Sequence, residues 1–208
     1  VSIRQSFLAI LDQGACYGYQ LRAEFERRTG ATWPLNIGQI YTTLDRLERD
    51  RLVERDPERS DDGEHIYYRI TPGGHAEVTA WLSSPVERTT TAPRDELAMK
   101  LAIAVTLPGV DIVALIQTQR SATFRVLQEL TRSKHLSGEA TSADDLAWQL
   151  VVDSLIFQAE AEVRWLDHSE TRLVRAAADG FAAPLPLDDA PVRRGRPARA
   201  GHGEEARS

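Results

Sequence analysis

The sequence predicts a mainly helical protein with a small β-wing. A helix-turn-helix unit closed by a short hairpin spans residues 1–84, and a purely helical region follows a linker. Three observations predict this. Residues 36–48 place Ile37, Ile40, Leu44 and Leu47 at spacings of three, four and three, which puts all four on one face of a helix. That run lies between a shorter amphipathic helix and an alternating segment at residues 65–70. Beyond Pro93 every strand signal disappears, and apolar residues recur at helical spacing to about residue 179.

The elements follow in order. Residues 3–12 set Ile3, Phe7, Ile10 and Leu11 on one helical face, and Gly14 and Gly18 bound a turn. A second helix runs over residues 19–28 with Leu21 and Phe25 one turn apart, and it stops at Thr29 and Gly30. Pro34 blocks further helix and leaves Asn36 as the N-cap of the third. Residues 51–55 read as a strand and residues 57–63 as a polar loop. In residues 65–70, Ile66, Tyr68 and Ile70 fall on one side, with His65, Tyr67 and Arg69 on the other. Thr71 caps and Pro72 opens a helix running to about Leu82.

Residues 85–93 form a Pro- and Thr-rich linker, and three helices are expected at 94–106, about 110–135 and about 142–179. The last carries Val152, Ile156, Ala159, Val163 and Leu166 at heptad-like spacing, widened by Trp148, Leu155 and Trp165. A seam of that length asks for a second copy of the chain, the alternative being that it packs back on the first domain. Residues 94–182 are thus expected to form a dimerisation domain. Residues 183–208, rich in Pro, Gly, Ala and Arg, are expected to form a disordered tail.

Composition narrows the function. No apolar run approaches a membrane span and no secretory signal pattern is present, while the single Cys16 excludes an internal disulfide, so a reduced, cytoplasmic protein is expected. Cys16 reads as a small turn or core residue. His65, His75, His135, His168 and His202 show no metal-ligand spacing, and neither a Gly-rich phosphate loop nor a nucleophile elbow occurs. These features point away from an enzyme and from a bound cofactor. The net charge is −6, and residues 1–84 hold ten arginines against thirteen acidic residues. A nucleic-acid partner must therefore be argued from arrangement rather than bulk charge.

The arrangement is suggestive. Opposite the apolar stripe of the third helix stand Gln39, Thr42, Thr43 and Arg46, short hydrogen-bonding groups and one forked cation suited to base edges and phosphates. Gln can pair with adenine and Arg with guanine. The helix N-terminus at Asn36 suits a phosphate. The segments Tyr17-Gly-Tyr-Gln-Leu21, Trp33, Gly38-Gln-Ile-Tyr-Thr-Thr-Leu-Asp-Arg-Leu-Glu48 and Tyr67-Tyr-Arg-Ile-Thr71 with Gly74 resemble PadR-type transcriptional regulators. Arg94-Asp-Glu-Leu-Ala-Met-Lys-Leu101 and the helices after it resemble the C-terminal part of longer members.

That resemblance implies a winged helix on a pseudo-palindromic operator, a helical region that makes a homodimer, and an effector pocket. It implies a phosphate contact for Tyr41, which could equally fill core, and wing contacts for Arg59, His65, Tyr67 and Arg69. Arg59 could equally be a solvated loop charge, and Tyr67 could pack on the neighbouring helix. Tyr17 and Tyr19 would touch backbone or pack. The family usually has a small residue at Gln39 and often Pro at Thr42, so the operator would be this chain's own. Phe124, Trp148 and Trp165 could sandwich a small aromatic or hydrophobic effector, or simply pack. In the tail, Arg194, Gly195, Arg196 and Pro197 resemble the core of an AT-hook, a minor-groove element. The expectation is a homodimeric, ligand-responsive repressor of double-stranded DNA. The alternative is a protein-interaction module that keeps the winged helix as a scaffold.

Overall fold

The computed structural model describes residues 2–60, 65–87, 96–181 and 183–188. The N-terminal head comprises α1 (Ser2–Leu11), β1 (Cys16–Tyr17), α2 (Gly18–Arg28), α3 (Ile37–Arg49), β2 (Val53–Arg55), α4 (Pro57–Ser60), β3 (Tyr67–Ile70) and α5 (Pro72–Ser83). Its core is continuous. Phe7, Leu8, Ile10 and Leu11 from α1 meet Leu21 and Phe25 from α2, and Ile40, Leu44 and Leu47 from α3 close over them. Phe7 and Phe25 meet edge to face with centroids 5.8 Å apart. Each such fully buried side chain contributes about 1.5–3 kcal/mol.

The sheet has three strands in the order β1-β3-β2, both pairs antiparallel, with Cys16 opposite Tyr68 and Val53 opposite Ile70. The sequence suggested only two of them. β1 is two residues long between glycines, so it has no periodicity to read, and its partner β3 alone makes it a strand. Ile66 lies outside β3 and is exposed, so the expected alternation begins only at Tyr67. The loop expected at 57–63 contains α4, with Pro57 at its first position and Asp56 Oδ1 accepting from the Glu58 N–H at 3.1 Å. Gly74 is required by close approach: a Cβ there would lie 2.2 Å from the Leu52 carbonyl oxygen.

The C-terminal arm comprises α6 (Glu96–Ala104), α7 (Ile112–Ser137) and α8 (Ala143–Ala178). Met99 and Ile103 of α6 join the head core, while Leu97, Leu101 and Ala104 form a second cluster with Leu115, Ile116 and Leu166. Helices α7 and α8 pack as an antiparallel hairpin. Arg120 bridges to Asp167 at 2.8 Å and also to Glu170, and Lys134 pairs with Asp153 at 2.5 Å nearer the tip. Gln119 Nε2 and Thr123 Oγ1 both donate to Glu162, at 3.1 and 2.6 Å. The Val86 N–H donates to Gln119 Oε1 at 2.7 Å, which pins the start of the expected linker to α7.

Two expectations need correction. Val152, Ala159 and Leu166 are buried within the single chain, while Leu155, Ile156 and Val163 are half-buried and Trp148 is exposed. A heptad-like spacing specifies a helical neighbour without saying which one, and here α7 is that neighbour. The uncovered apolar surface of α8 lies about half a turn away, at Leu146, Leu150 (62% exposed) and Phe157 (67% exposed). The second correction concerns the tail: residues 183–188 are packed on the head, with Leu187 against its core. Residues 189–208, which hold Arg194, Gly195, Arg196 and Pro197, lie outside the described residues.

At the junction of head and arm, Lys100 is fully buried, with its Nζ donating to the Ser84 carbonyl and lying 5.6 Å from the Trp81 ring centroid. Burial pulls its ammonium pKa down to about 8.

Candidate nucleic-acid interface

Helix α3 is the most sharply two-faced element of the head. Its inner stripe of Ile40, Leu44 and Leu47 is buried, and Ile37 is partly buried at the helix start. Its outer face exposes Asn36, Gln39, Thr42 and Arg46, with Thr43 half-buried at the edge. The N-terminus is fixed by a capping box. Asn36 Oδ1 accepts from the Gln39 N–H at 2.9 Å, and Gln39 Oε1 accepts from the Asn36 N–H at 3.0 Å. This has a consequence for reading bases. A bidentate Gln-adenine pair needs both the amide oxygen and the NH2 group, and here the oxygen is already engaged. Gln39 presents its NH2 group outward at no cost, whereas the bidentate contact competes with a cap worth about 1 kcal/mol. Thr43 Oγ1 donates back to the Gln39 carbonyl at 2.8 Å, which leaves its methyl and hydroxyl lone pairs to the outside.

Tyr41 is exposed and lies against the start of α2, where a Cβ on Gly18 would come within 2.8 Å of its ring. The hydroxyl end of the ring rests against this glycine, so the residue is neither core filler nor a freely swinging side chain. Each wing candidate contacts another part of the head, with His65 and Tyr67 half-buried and Arg59 and Arg69 exposed. Tyr17 is buried and stacks on His65 with centroids 4.3 Å apart and planes 4° apart, and Tyr67 meets Tyr17 edge-on at 5.3 Å. The Arg59 guanidinium sits 5.8 Å from the Tyr67 ring centroid and donates to the Ala15 carbonyl at 3.2 Å. Arg69 pairs with Glu54 on the neighbouring strand at 2.8 Å. The root of the wing is therefore an aromatic and cationic cluster holding β3 to the α2 start.

Most of the head's cations are paired with carboxylates. Arg4 is held by Glu77 at 2.6 Å and Asp50 at 3.3 Å, and Arg55 by Glu48 at 3.1 Å. Arg46, in the middle of the exposed α3 face, has no ion pair among the described residues. A groove of about 680 Å³ beside α3 is bordered by Asn36, Gln39, Thr42 and Arg46, and by Ile3 and Arg4 of α1.

Three aromatic residues of the arm are the ones expected to pack or to sandwich an effector. Phe124, Trp148 and Trp165 are all exposed. A cavity of about 400 Å³ on the arm is lined by Pro85, Val86, Gln119, Thr123 and Val126 among others, and none of the three aromatic side chains borders it. Sequence reading missed Gln119 and Glu162, whose buried polar bonding beside this cavity has no periodic signature. Among the described residues no cluster of three or more His, Cys, Asp or Glu could hold a metal, and no helix is long and apolar enough to cross a membrane.

A rigid two-faced helix, a three-stranded wing and a helical arm define a winged-helix protein with a C-terminal helical domain. Residues 7–80 match the Transcriptional regulator PadR-like family, and residues 93–173 match the domain described as Virulence activator alpha C-term. The chain thus carries a PadR-like transcriptional regulator domain followed by a Virulence activator alpha C-term domain. It is 25% identical over 188 residues to a probable transcriptional regulator of Mycobacterium tuberculosis, a match covering 80% of this chain and 95% of that relative. Among solved structures it is similar to Bacillus subtilis PadR in complex with operator DNA, at 22% identity and a TM-score of 0.37, covering 79% of this chain and 94% of that one. It is also similar to the Vibrio cholerae virulence activator AphA, at 18% identity and a TM-score of 0.36, covering 84% and 99% of the respective chains.

Proposed function

We propose that this regulator is a sequence-specific repressor that binds a pseudo-palindromic operator as a homodimer and responds to a small hydrophobic ligand. The observation that carries the reading is the outer face of α3. Gln39, Thr42 and Arg46 are exposed on a helix whose other face is locked into the core, and Arg46 has no acidic partner there. Asn36, Tyr41 and Thr43 flank them as phosphate-facing or edge groups. Arg59, His65, Tyr67 and Arg69 support the wing, so their contribution to DNA is positional before it is direct.

The homodimer rests on α8. A helix exposing Leu146, Leu150 and Phe157 along one face presents apolar surface that water does not favour, and a two-fold copy covers it with the same residues. Trp148, Leu155, Ile156 and Val163 lie on the seam side of α8 with Val152, Ala159 and Leu166, the side that serves the hairpin. Two α3 helices would enter successive major grooves about 34 Å apart. A ligand seated in the arm, beside Phe124, Trp148 or Trp165 or in the cavity under Gln119, would change that separation and so favour release. Arg194, Gly195, Arg196 and Pro197 would add a minor-groove contact.

The test is selection of genomic fragments on the full chain followed by footprinting. The reading expects protection of two related half-sites with centres about 10 base pairs apart. Fragments without a shared motif would instead favour a winged helix used for protein contacts, which the excess of acidic residues in the head supports.

A further inference from the structure

Residues 183–188 cross the side of the head as an extended strap, and the head recognises them mainly through their backbone. The Leu185 N–H donates to the Thr106 carbonyl at 2.9 Å. Arg28 Nη2 donates to the Leu185 carbonyl at 3.1 Å, and Arg27 Nη2 to the Pro186 carbonyl at 2.6 Å. Gln20 Nε2 donates to the Asp188 carbonyl at 2.9 Å, and the Asp188 N–H donates to Glu24 Oε1 at 3.1 Å. Pro184 and Pro186 have no N–H to satisfy. Leu187 lies over Gly14, where an added Cβ would stand 3.0 Å from Leu187 Cδ1. Leu185 and Leu187 also wall a cavity of about 550 Å³ against Ala9, Val78, Leu82 and Leu107.

The groove beneath the strap is chemically prepared for it. Arg28 is fully buried and pairs with the equally buried Glu24 at 3.0 Å. The rest of its fork reaches Thr106 Oγ1 at 2.8 Å and Gln13 Oε1 at 2.7 Å, and the Leu185 carbonyl completes it. A buried ion pair is costly unless its remaining donors are satisfied, so part of the compensation for burying Arg28 comes from the strap itself. Burial pulls the guanidinium below its ordinary range.

We propose that the face of α2 carrying Gln20, Glu24, Arg27 and Arg28 is a docking site for an extended, proline-flanked Leu-Pro-Leu-Asp segment. Its occupant is the chain's own residues 184–188, and docking clamps the end of α8 to the head. The head is then held to the arm by α6 on one side and by the strap on another. Because the strap is tethered, its effective concentration at the groove is high and individually weak contacts suffice. The consequence for DNA rests on the operator reading above: a clamped head holds α3 at a fixed angle to the dimer arm.

Amide exchange by NMR on the full chain tests the docking directly. The Leu185 and Asp188 amides should exchange at least about 100-fold slower than in a free peptide of the same sequence, and exchange at the free-peptide rate would overturn the site. Two substitutions act from opposite sides. Leu187→Asp removes the apolar anchor from the strap, and Gly14→Val crowds its seat on the head. Either should speed exchange at Leu185 and Asp188 at least about 10-fold while the α3 amides stay protected, so a variant that fails to fold is recognised by its α3 amides and the other decides. Strap exchange unchanged in a folded variant overturns the proposal. Operator affinity measured on the same proteins should fall about 10-fold in the released variants. If the wild-type chain binds no DNA, the operator reading fails while the exchange data still decide the docking site.

Discussion

The head and the arm are both built from amphipathic helices, yet they resolve their apolar faces differently. In the head, the stripe of α3 has its partners within the same unit, and α1, α2 and the sheet close around it into one core. Its exposed surface is mostly polar, with Ile66 and Tyr41 as exceptions, and most of its cations are tied to carboxylates. In the arm, α8 has one face buried on α7 and another left open at Leu146, Leu150 and Phe157. The head is complete as a single copy, and the arm carries surface for a second. Apolar periodicity thus marks a helix-helix contact in both regions, while only the arrangement in space shows whether that contact is spent inside the chain. For a regulator this division is useful: a rigid reading face can be positioned by an assembly surface that is free to shift.

Substitutions that break one region and spare the other sharpen this contrast. The largest effect is expected in the head core, where Leu44→Ala should cost about 2–5 kcal/mol in urea unfolding because a fully buried side chain leaves a cavity. Lys100→Met, at the seam between the regions, should stabilise by up to about 3 kcal/mol at pH 7, since it replaces a buried ammonium. The sign follows from a folded pKa of about 8 lying below the ordinary value of 10.5. The penalty for the charge is complete below pH 8 and gone above 10.5, so the wild type gains stability across that window while the Met variant does not. Unfolding of the two proteins at pH 7 and pH 10 checks it, and an equal gap at both would refute the argument. On the arm, Phe157→Asp should leave the unfolding of the head unchanged but weaken self-association by about 2 kcal/mol in sedimentation. On the head surface, Arg46→Ala should leave both stability and association intact and cost about 1–3 kcal/mol of operator affinity with relaxed base preference.

Much of the head was legible because its signals are local. The α3 stripe, the Asn36 cap and the Thr71-Pro72 helix start each depend on a few adjacent residues, and the structure contains all three. What escaped depends on contacts distant in sequence. β1 exists because β3 pairs with it. The seam at Val152, Ala159 and Leu166 was legible as a seam, but its partner α7 was not. The strap was hidden by its own composition: Pro, Ala and Leu without periodicity resemble a tail until Arg28, Gln20 and Glu24 meet its backbone. The candidate site shows the same pattern. Its residues on α3 could be chosen by spacing alone, whereas the pairing of Arg69 with Glu54, the clustering of Arg59, His65 and Tyr67, and the engagement of the Gln39 oxygen appear only in three dimensions.

The central claim is that two copies of the α3 face read one operator. The most direct test is an anisotropy titration of the full chain, at physiological salt, against the DNA upstream of its own gene and a scrambled duplex of equal length. The account predicts saturation at two protomers per duplex and a preference of at least about 1,000-fold for the native sequence. Equal affinity for the two duplexes, or saturation at one protomer, would contradict it.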